Sequence, residues 1–447
     1  MDFNLFKEIL FKNAKNSGFE EFEIYYSDAE NLSLNIYEGE VEKYKLTNAF
    51  GLSFRGKING KMGYSYTEIL DEDAIDTLIK NAKGAALAIE NEDVQFIYEG
   101  DKEYKELDCY KKQLDNVKPD ELISLALEME KECKKQCDKV VNFQGCGIGY
   151  GKATYGIINS KGLNLKNERN SLTAYVVPIV EENNEKYDGM GYVIANSVGD
   201  IKPSELAKQG LEEALSKVGG KSIPSGTYKI IINNEAMVSL LGTFSGIFDA
   251  EQAQKGLSLL KGKEGEIIAS DIITLIDDPH LEDGLGTTSF DDEGVATYKK
   301  EIITNGKLNT LLYNLKTAYK AQVKSTGNGF KGSYASTVGV SATNFYIKPG
   351  EKSFEELCNE VKEGVIITEF AGLHSGASAI TGDFSLAAKG FMIENGKKSF
   401  PVEQITVAGN FFTLLKDIEE VGSDLKFPMS SIGCPSVIVK ELSVAGK

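Results

Sequence analysis

Asn59-Gly60 lies between two alternating runs, 51–58 and 61–66, and this pair constrains the fold more than any other short stretch. A tight two-residue hairpin turn needs positive φ at both central positions, which Asn followed by Gly accepts at low cost, so an antiparallel hairpin is predicted here. Two more such pairs, Asn305-Gly306 and Asn395-Gly396, also sit between strand-like runs. Local antiparallel pairing is therefore expected in both halves of the chain.

Helical patterns flank the first hairpin. Residues 2–15 place Phe3, Phe6, Ile9, Leu10 and Ala14 on one face, with Gly18 able to end the helix. Strand-like runs at 21–27 and 31–37 follow, and after the hairpin comes an alanine- and leucine-rich helix over 71–89. The acidic, poorly periodic stretch 93–107 reads as a connector.

The theme then returns, without a residue-by-residue repeat. A helix over 119–135 leads into strands at 140–150, 152–159, 164–170 and 172–181, and a helix over 204–218 is closed by Gly219-Gly220. Lys221 to Gly226 is the best linker. Beyond it, 227–232 reads as a buried strand, 234–248 as a helix and 256–268 as loose chain. Ser353 and Glu356 carry a capping-box pattern for a helix over 354–361. The expected fold is α+β, with helix-and-strand units at 1–107 and 108–221 packing as one lobe, then a strand-rich domain at 222–447.

The chain's 67 acidic residues outnumber its 49 basic ones, a net charge of −18. With no basic patch, such a surface repels nucleic acid and anionic lipid. Apolar runs such as 175–180 fall far short of the ~20 residues that cross a bilayer. The N-terminus lacks the apolar core and cleavage site of a signal peptide, so a cytoplasmic location is expected. The six scattered cysteines are then expected to be reduced and mostly buried.

The densest polar clustering is 372–396, GLHSGASAITGDFSLAAKGFMIENG. Its hydroxyls and glycines suit a backbone passing close to a ligand, a metal or another chain, and equally a tight loop between core strands. His280 and His374 are the only histidines, and neither lies in an HExxH-like pattern, so no histidine-based zinc site is expected. Asp277, Asp278, Glu282, Asp283, Asp291, Asp292 and Glu293 offer oxygen ligands beside His280. Their spacing matches no EF-hand, and they read as solvated turns. His374 and Ser375 are sequence neighbours, which on a strand point to opposite faces and form no dyad. GLHSG also lacks the GxSxG pattern. Cys434 with His374 is a conceivable thiol pair, but a buried cysteine is commoner. Gly284 and Gly286 give only GxG, so no phosphate loop is present.

SFDDEG (289–294), IITNGKL (302–308), KSTGNG (324–329), SAITGDFS (378–385), GFMIENGK (390–397) and VAGN (407–410) follow the order and spacing of the TldD/PmbA family. With the turn at Asn159, Ser160 and Gly162, the resemblance covers essentially the whole chain. It is strongest to the PmbA, or TldE, branch.

The resemblance implies a cytosolic peptidase system that trims unfolded or leader peptides. TldD-type chains in that family carry HExxxH on a helix plus a cysteine near the C-terminus, and pair with a PmbA-type chain around an enclosed cavity. Here the corresponding helix is SLLGTFSGIF, and Gly242, Thr243 and Ile247 stand where the first histidine, the glutamate and the second histidine would be. None of the three can bind Zn²⁺ or activate its water.

No catalytic residue, metal or cofactor is thus expected in this chain, with zinc belonging to a TldD-type partner. His374, Ser375, Ser378, Thr381 and Asp383 are expected to shape a peptide-binding wall or an interface. An extended peptide could add there as a strand. The alternative is a homodimeric, non-catalytic peptide-binding or scaffold protein.

Overall fold

The computed structural model describes residues 1–90 and 94–447. Its first half is one seven-stranded sheet built from β1 (Glu21–Tyr37), β2 (Glu40–Ile58), β3 (Lys61–Thr67), β4 (Val140–Asn159), β5 (Asn164–Glu182), β6 (Glu185–Asp188) and β7 (Gly191–Ala195). The order is β3-β2-β1-β4-β5-β6, with β7 also on β5, and every pairing is antiparallel. Residues 1–107 and 108–221 are therefore joined by the β1–β4 seam, which runs from Glu23–Asn159 to Asn35–Gly147.

The predicted turn connects β2 to β3 with φ of 50° at Asn59 and 75° at Gly60. Runs expected as separate strands are longer here: 21–27 and 31–37 fuse into β1, and the four runs of 140–181 become β4 and β5. Local composition dips at their centres, but continuous cross-strand pairing carries the strand through.

Among the described residues, four helices cover one face of this sheet. They are α1 (Phe3–Asn16), α2 (Glu72–Ala88), α3 (Pro119–Gln136) and α4 (Pro203–Ser216). The Asp2 and Asp71 side chains cap α1 and α2 by accepting backbone N–H bonds, which satisfies donors that the first turn leaves free. Phe6, Leu10, Ile75 and Leu78 close over Ile24, Leu52 and Phe54, while Leu122, Ala126 and Met129 close over Leu34, Ile148 and Leu172. Each fully buried side chain of this size contributes about 1.5–3 kcal/mol.

Because strand side chains alternate, Glu23 and Tyr25 on β1 and Ser53 and Arg55 on β2 project from the opposite face. That face meets the C-terminal half. Of the connector 93–107, Asp93 lies outside the described residues. The described part is pinned down, the Tyr98 carbonyl accepting from Asn159 Nδ2 and the Tyr104 hydroxyl donating to the Gly294 carbonyl.

The second half opens with β8 (Gly226–Ile232), α5 (Asn234–Phe244), α6 (Ala250–Gln254), β9 (Leu275–Asp277), β10 (Lys300–Thr304), β11 (Lys307–Leu308) and α7 (Leu315–Ala321). It continues with β12 (Gly329–Phe330), β13 (Gly339–Val340), β14 (Phe345–Ile347), α8 (Phe354–Val361), β15 (Gly364–Ala371) and α9 (Leu373–Gly376). It ends with β16 (Asp383–Glu394), β17 (Lys397–Asn410), α10 (Phe411–Lys416), β18 (Ile418–Val421), β19 (Ile432–Gly433) and β20 (Val437–Ala445).

Pairings β17-β16-β15-β8-β20 return to β17, so these five strands close on themselves, with β18 outside on β20. A second sheet runs β11-β10-β9-β14-β19. Between them α5 buries Met237, Leu240, Leu241 and Phe244 in one large apolar core. The helix expected over 234–248 stops at Phe244 and tightens into a 3-10 turn at Ser245–Phe248. The Ser245 hydroxyl donates to the Gly242 carbonyl, a local bond that competes with the helical ladder.

Candidate functional site

The 372–396 block divides into α9, a turn, and β16 with its Asn395-Gly396 hairpin. His374, Ser375, Thr381 and Asp383 are exposed and Ser378 is half-buried. His374 and Ser375 lie on the short helix α9 rather than on the strand expected, and the Ser375 hydroxyl donates to the Gly372 carbonyl at 3.3 Å. Asn410 Nδ2 donates to both the Thr381 carbonyl and Asp383 Oδ1, each at 2.9 Å. The bond from Asn410, followed by an interaction with the Thr381 side chain, holds the Asp383 carboxyl below its ordinary range. A Cβ on Gly382, whose φ is 83°, would fall 2.5 Å from the Phe412 ring, so the turn admits only glycine without displacing that ring.

α9 packs against α5, the helix that carries Gly242 and Thr243. The Thr243 hydroxyl donates to the Ser239 carbonyl at 2.9 Å, and Ile247 is 1% exposed in the apolar core. A Cβ on Gly242 would meet Ile432 Cδ1 at 3.3 Å, which puts the end of α5 against the strand before Cys434. Cys434 is wholly buried and burial pushes its thiol up, whereas His374 is exposed, so the two form no thiol pair. All six cysteines are unpaired, and Cys133, Cys146, Cys358 and Cys434 are buried.

The acidic segment corrects one expectation. Glu282 and Asp283 are exposed, but Asp277, Asp278, Asp291, Asp292 and Glu293 are buried rather than solvated. Buried carboxylates persist because backbone and cationic donors replace water. Asp291 Oδ1 accepts from the Glu293 and Val295 amides at 3.0 Å, and Oδ2 accepts from the Gly329 amide at 2.8 Å. Asp292 accepts from the Lys331 amide at 2.7 Å, and Glu293 from the Leu315 amide at 2.7 Å, where α7 begins. A Cβ on Gly329 would stand 2.6 Å from Glu293 Oε2, so SFDDEG and KSTGNG interlock through that glycine. His280, which the sequence placed beside these acids, sits with Nε2 3.3 Å from the Thr297 hydroxyl. Among the described residues, no group of three or more His, Cys, Asp or Glu is placed to hold a metal ion.

The sheet supplies the other half of this junction. Arg55 Nε donates to Glu23 Oε1 at 2.7 Å, and Asn159 Nδ2 reaches Glu23 Oε2 at 3.2 Å. Lys331 Nζ donates to the Ser53 hydroxyl at 3.0 Å and lies over the Tyr25 and Tyr64 rings at 4.5 and 5.4 Å. Burial raises Asp292 to about 6, and burial first, then the Arg55 charge, lowers Lys331 to about 8. Burial also pushes Asp291 and Glu293 up and Tyr25 up, the last aided by Asp292.

Glu23, Tyr25, Ser53, Arg55 and Lys331 were not singled out from the sequence. A usable signal exists: Glu23 in EFEIYY and Arg55 in LSFRGKI are charges flanked by apolar residues in strands. Openings lie along the junction. One of about 440 Å³ includes Arg55, Glu293 and Lys331, and one of about 250 Å³ includes Tyr25, Arg169, Thr288 and Asp292. Another, about 150 Å³, reaches the end of α5 at Ser245 and Gly246 and shares Ala342, Thr343 and Ser431 with the one at Tyr25.

Three family descriptions match along the chain: PmbA/TldA metallopeptidase domain 1 over 22–86, central domain over 112–218, and C-terminal domain over 225–446. A sheet of two fused hairpin units followed by a strand-rich C-terminal domain is thus the PmbA/TldD metallopeptidase architecture, and the chain belongs to that family.

Its relatives include proteins named PmbA and TldE. Metalloprotease PmbA of Escherichia coli O157:H7 is 29% identical over 433 residues, covering 95% of this chain and 92% of that protein. A Thermotoga maritima MSB8 structure, described as a candidate modulator of a DNA gyrase, superposes with a TM-score of 0.92 at 35% identity, covering 99% of this chain and 100% of that one. TldE from Thermococcus kodakarensis has a TM-score of 0.90 at 21% identity, covering 99% and 100%, a likeness of fold.

Proposed function

We propose that this chain is the PmbA/TldE-type subunit of a TldD/TldE-like peptidase acting on unfolded or leader peptides, and that it carries no catalytic zinc itself. The observation that supports this most is the chemistry at the end of α5. Gly242 has no side chain, the Thr243 hydroxyl is committed to a helical carbonyl, and Ile247 is sealed in hydrocarbon. These residues do not fit a zinc ion, which needs three nitrogen, sulfur or oxygen ligands and an open position for water. The hydrolytic metal then belongs to a TldD-type partner. A TldD homologue from Buchnera aphidicola, 28% identical over 267 residues and covering 56% of this chain and 55% of that protein, fits such a division within one family.

In this reading His374, Ser375, Ser378, Thr381 and Asp383 form part of the peptide-facing wall or the partner interface. His374 and Ser375 are exposed on α9, which packs against α5, and Thr381 is exposed on the turn that leads into β16 and Asp383 at the start of that strand, which suits either role. The pair works in the cytoplasm. No helix among the described residues is long and apolar enough to cross a membrane.

The test is co-purification with an HExxxH-bearing chain, followed by metal analysis and peptide cleavage with each chain alone and with both. Cleavage only by the pair, with zinc in the partner, is expected. Stoichiometric zinc in this chain alone, with cleavage lost on chelation, would overturn the reading. A homodimer that captures peptides without any such partner would establish the scaffold alternative.

A further inference from the structure

The opening of about 440 Å³ between the first sheet and the C-terminal half falls in the size range of small-ligand sites. Four of its lining residues are cations and two are carboxylates. Lys255 and Lys316 share Glu251, at 3.2 and 2.8 Å. The two deeper cations are less well served.

Arg55 is 6% exposed and spends its Nε on Glu23, while its Nη2 has no hydrogen-bond partner among the described residues. Lys331 has the Ser53 hydroxyl and two aromatic faces, but among the described residues no carboxylate within ion-pairing distance. An unpartnered guanidinium nitrogen in a protein interior keeps the desolvation cost of a donor with no acceptor, so a binding group that completes it is strongly favoured. Glu293 also lines the space, with Oε2 held by the Leu315 amide. Its negative charge works against a bare anion and suits a ligand that also brings a positive end.

We propose that this cavity binds a small zwitterionic ligand, an amino acid or short peptide, whose terminal carboxylate is taken by Arg55 and Lys331 and whose ammonium faces Glu293 and Glu251. The planar guanidinium matches a carboxylate in geometry as well as charge. Met62, Phe96 and Val338 give the space between the two ends an apolar wall for a small side chain. The cavity belongs to this chain alone, so binding needs no partner subunit and no peptidase activity.

The test is isothermal titration calorimetry on the full chain with alanyl-alanine, its C-terminal amide, N-acetyl-alanyl-alanine and inorganic phosphate. Binding of the free dipeptide, with both blocked forms at least tenfold weaker and phosphate weaker still, is expected. Arg55→Lys, which keeps a cation beside Glu23 but loses the fork, should weaken dipeptide binding at least tenfold. If that variant does not fold, Thr337→Trp decides, since it fills the cavity from an exposed position and should abolish binding. No dipeptide binding at millimolar concentration, equal binding of free and blocked forms, equal or tighter binding of phosphate, or full affinity in Thr337→Trp would overturn the assignment.

Discussion

Asp277 and Lys300 stand opposite each other on β9 and β10 and form an ion pair of 2.9 Å that is almost wholly buried. The pair is completed on every side. Asp277 Oδ2 also accepts from Asn328 Nδ2, Oδ1 accepts from the Thr343 amide and hydroxyl, and Lys300 also reaches Asn328 Oδ1. Breaking such a pair from one side leaves an uncompensated buried charge. Asp277→Ala should destabilise the chain by about 3–5 kcal/mol, and Asp277→Leu with Lys300→Met by clearly less. Chemical unfolding curves of the single and double variants check this. Equal losses would mean that the charges do not act as a pair.

Gly390 on β16 has no room for a side chain, since a Cβ there would fall 1.7 Å from the Ile366 carbonyl oxygen on β15. Backbone cannot yield as a side-chain tip does. Gly390→Ala should cost about 1–3 kcal/mol or more and lower the unfolding midpoint, whereas the same change at Gly246, with nothing within 4 Å, should be mild. Similar midpoints for the two variants would contradict the close approach of β15 and β16.

Lys331 should leave a signature in the pH dependence of stability. Its ammonium is moved from 10.5 to about 8 in the folded chain, by burial first and the Arg55 charge second. Between those values the unfolded chain binds more protons, so stability rises with pH, by at most roughly 1.4 kcal/mol per pH unit. Lys331→Met should remove that rise. Asp292 acts in a different window: raised from 3.8 to about 6, it makes stability fall as pH increases across that interval. Urea unfolding at pH 8 and pH 10 compares the wild type with Lys331→Met, and parallel pH profiles would show that Lys331 does not titrate early.

Thiol reactivity should divide the cysteines by burial. Cys109 and Cys137 are partly exposed and the other four are buried, with burial pushing up Cys133, Cys146, Cys358 and Cys434. A disulfide-exchange reagent should modify at most two thiols in the native chain and all six after denaturation. Fast native labelling of Cys434 would refute its enclosure.

Asp383→Ala tests the exposed block. The carboxylate bonds Asn410 at the surface, so the unfolding midpoint should stay close to that of the wild type. Under the proposed function, partner binding or peptide turnover by the complex should fall. Unchanged assembly and turnover would leave Asp383 as a turn residue.

The sequence carried the fold well where geometry is local. Asn59-Gly60, Asn305-Gly306 and Asn395-Gly396 all adopt positive φ at both residues, and Ser353 with Glu356 closes its capping box. Glu38-Gly39 makes the same kind of turn between β1 and β2, without the asparagine that would have announced it. The junction was harder to read. Whether Asp291, Asp292 and Glu293 meet water or protein depends on Gly329, Lys331 and Leu315, and on Tyr25 far earlier in the chain. No local pattern records such partners. SFDDEG and KSTGNG were recognised as family motifs, and the structure adds the reason they travel together: each fills the other's backbone donors and free space.

The β1–β4 seam gives the first half an unusual vulnerability. Separating the chain at 107/108 would strip a long run of ladder bonds from two strands at once, because β1 and β4 are each other's inner neighbours. Two such raw edges are adhesive, and they match in length and register. Because the chain tethers β4 to β1, each edge meets its own mate at high effective concentration before it meets another molecule's.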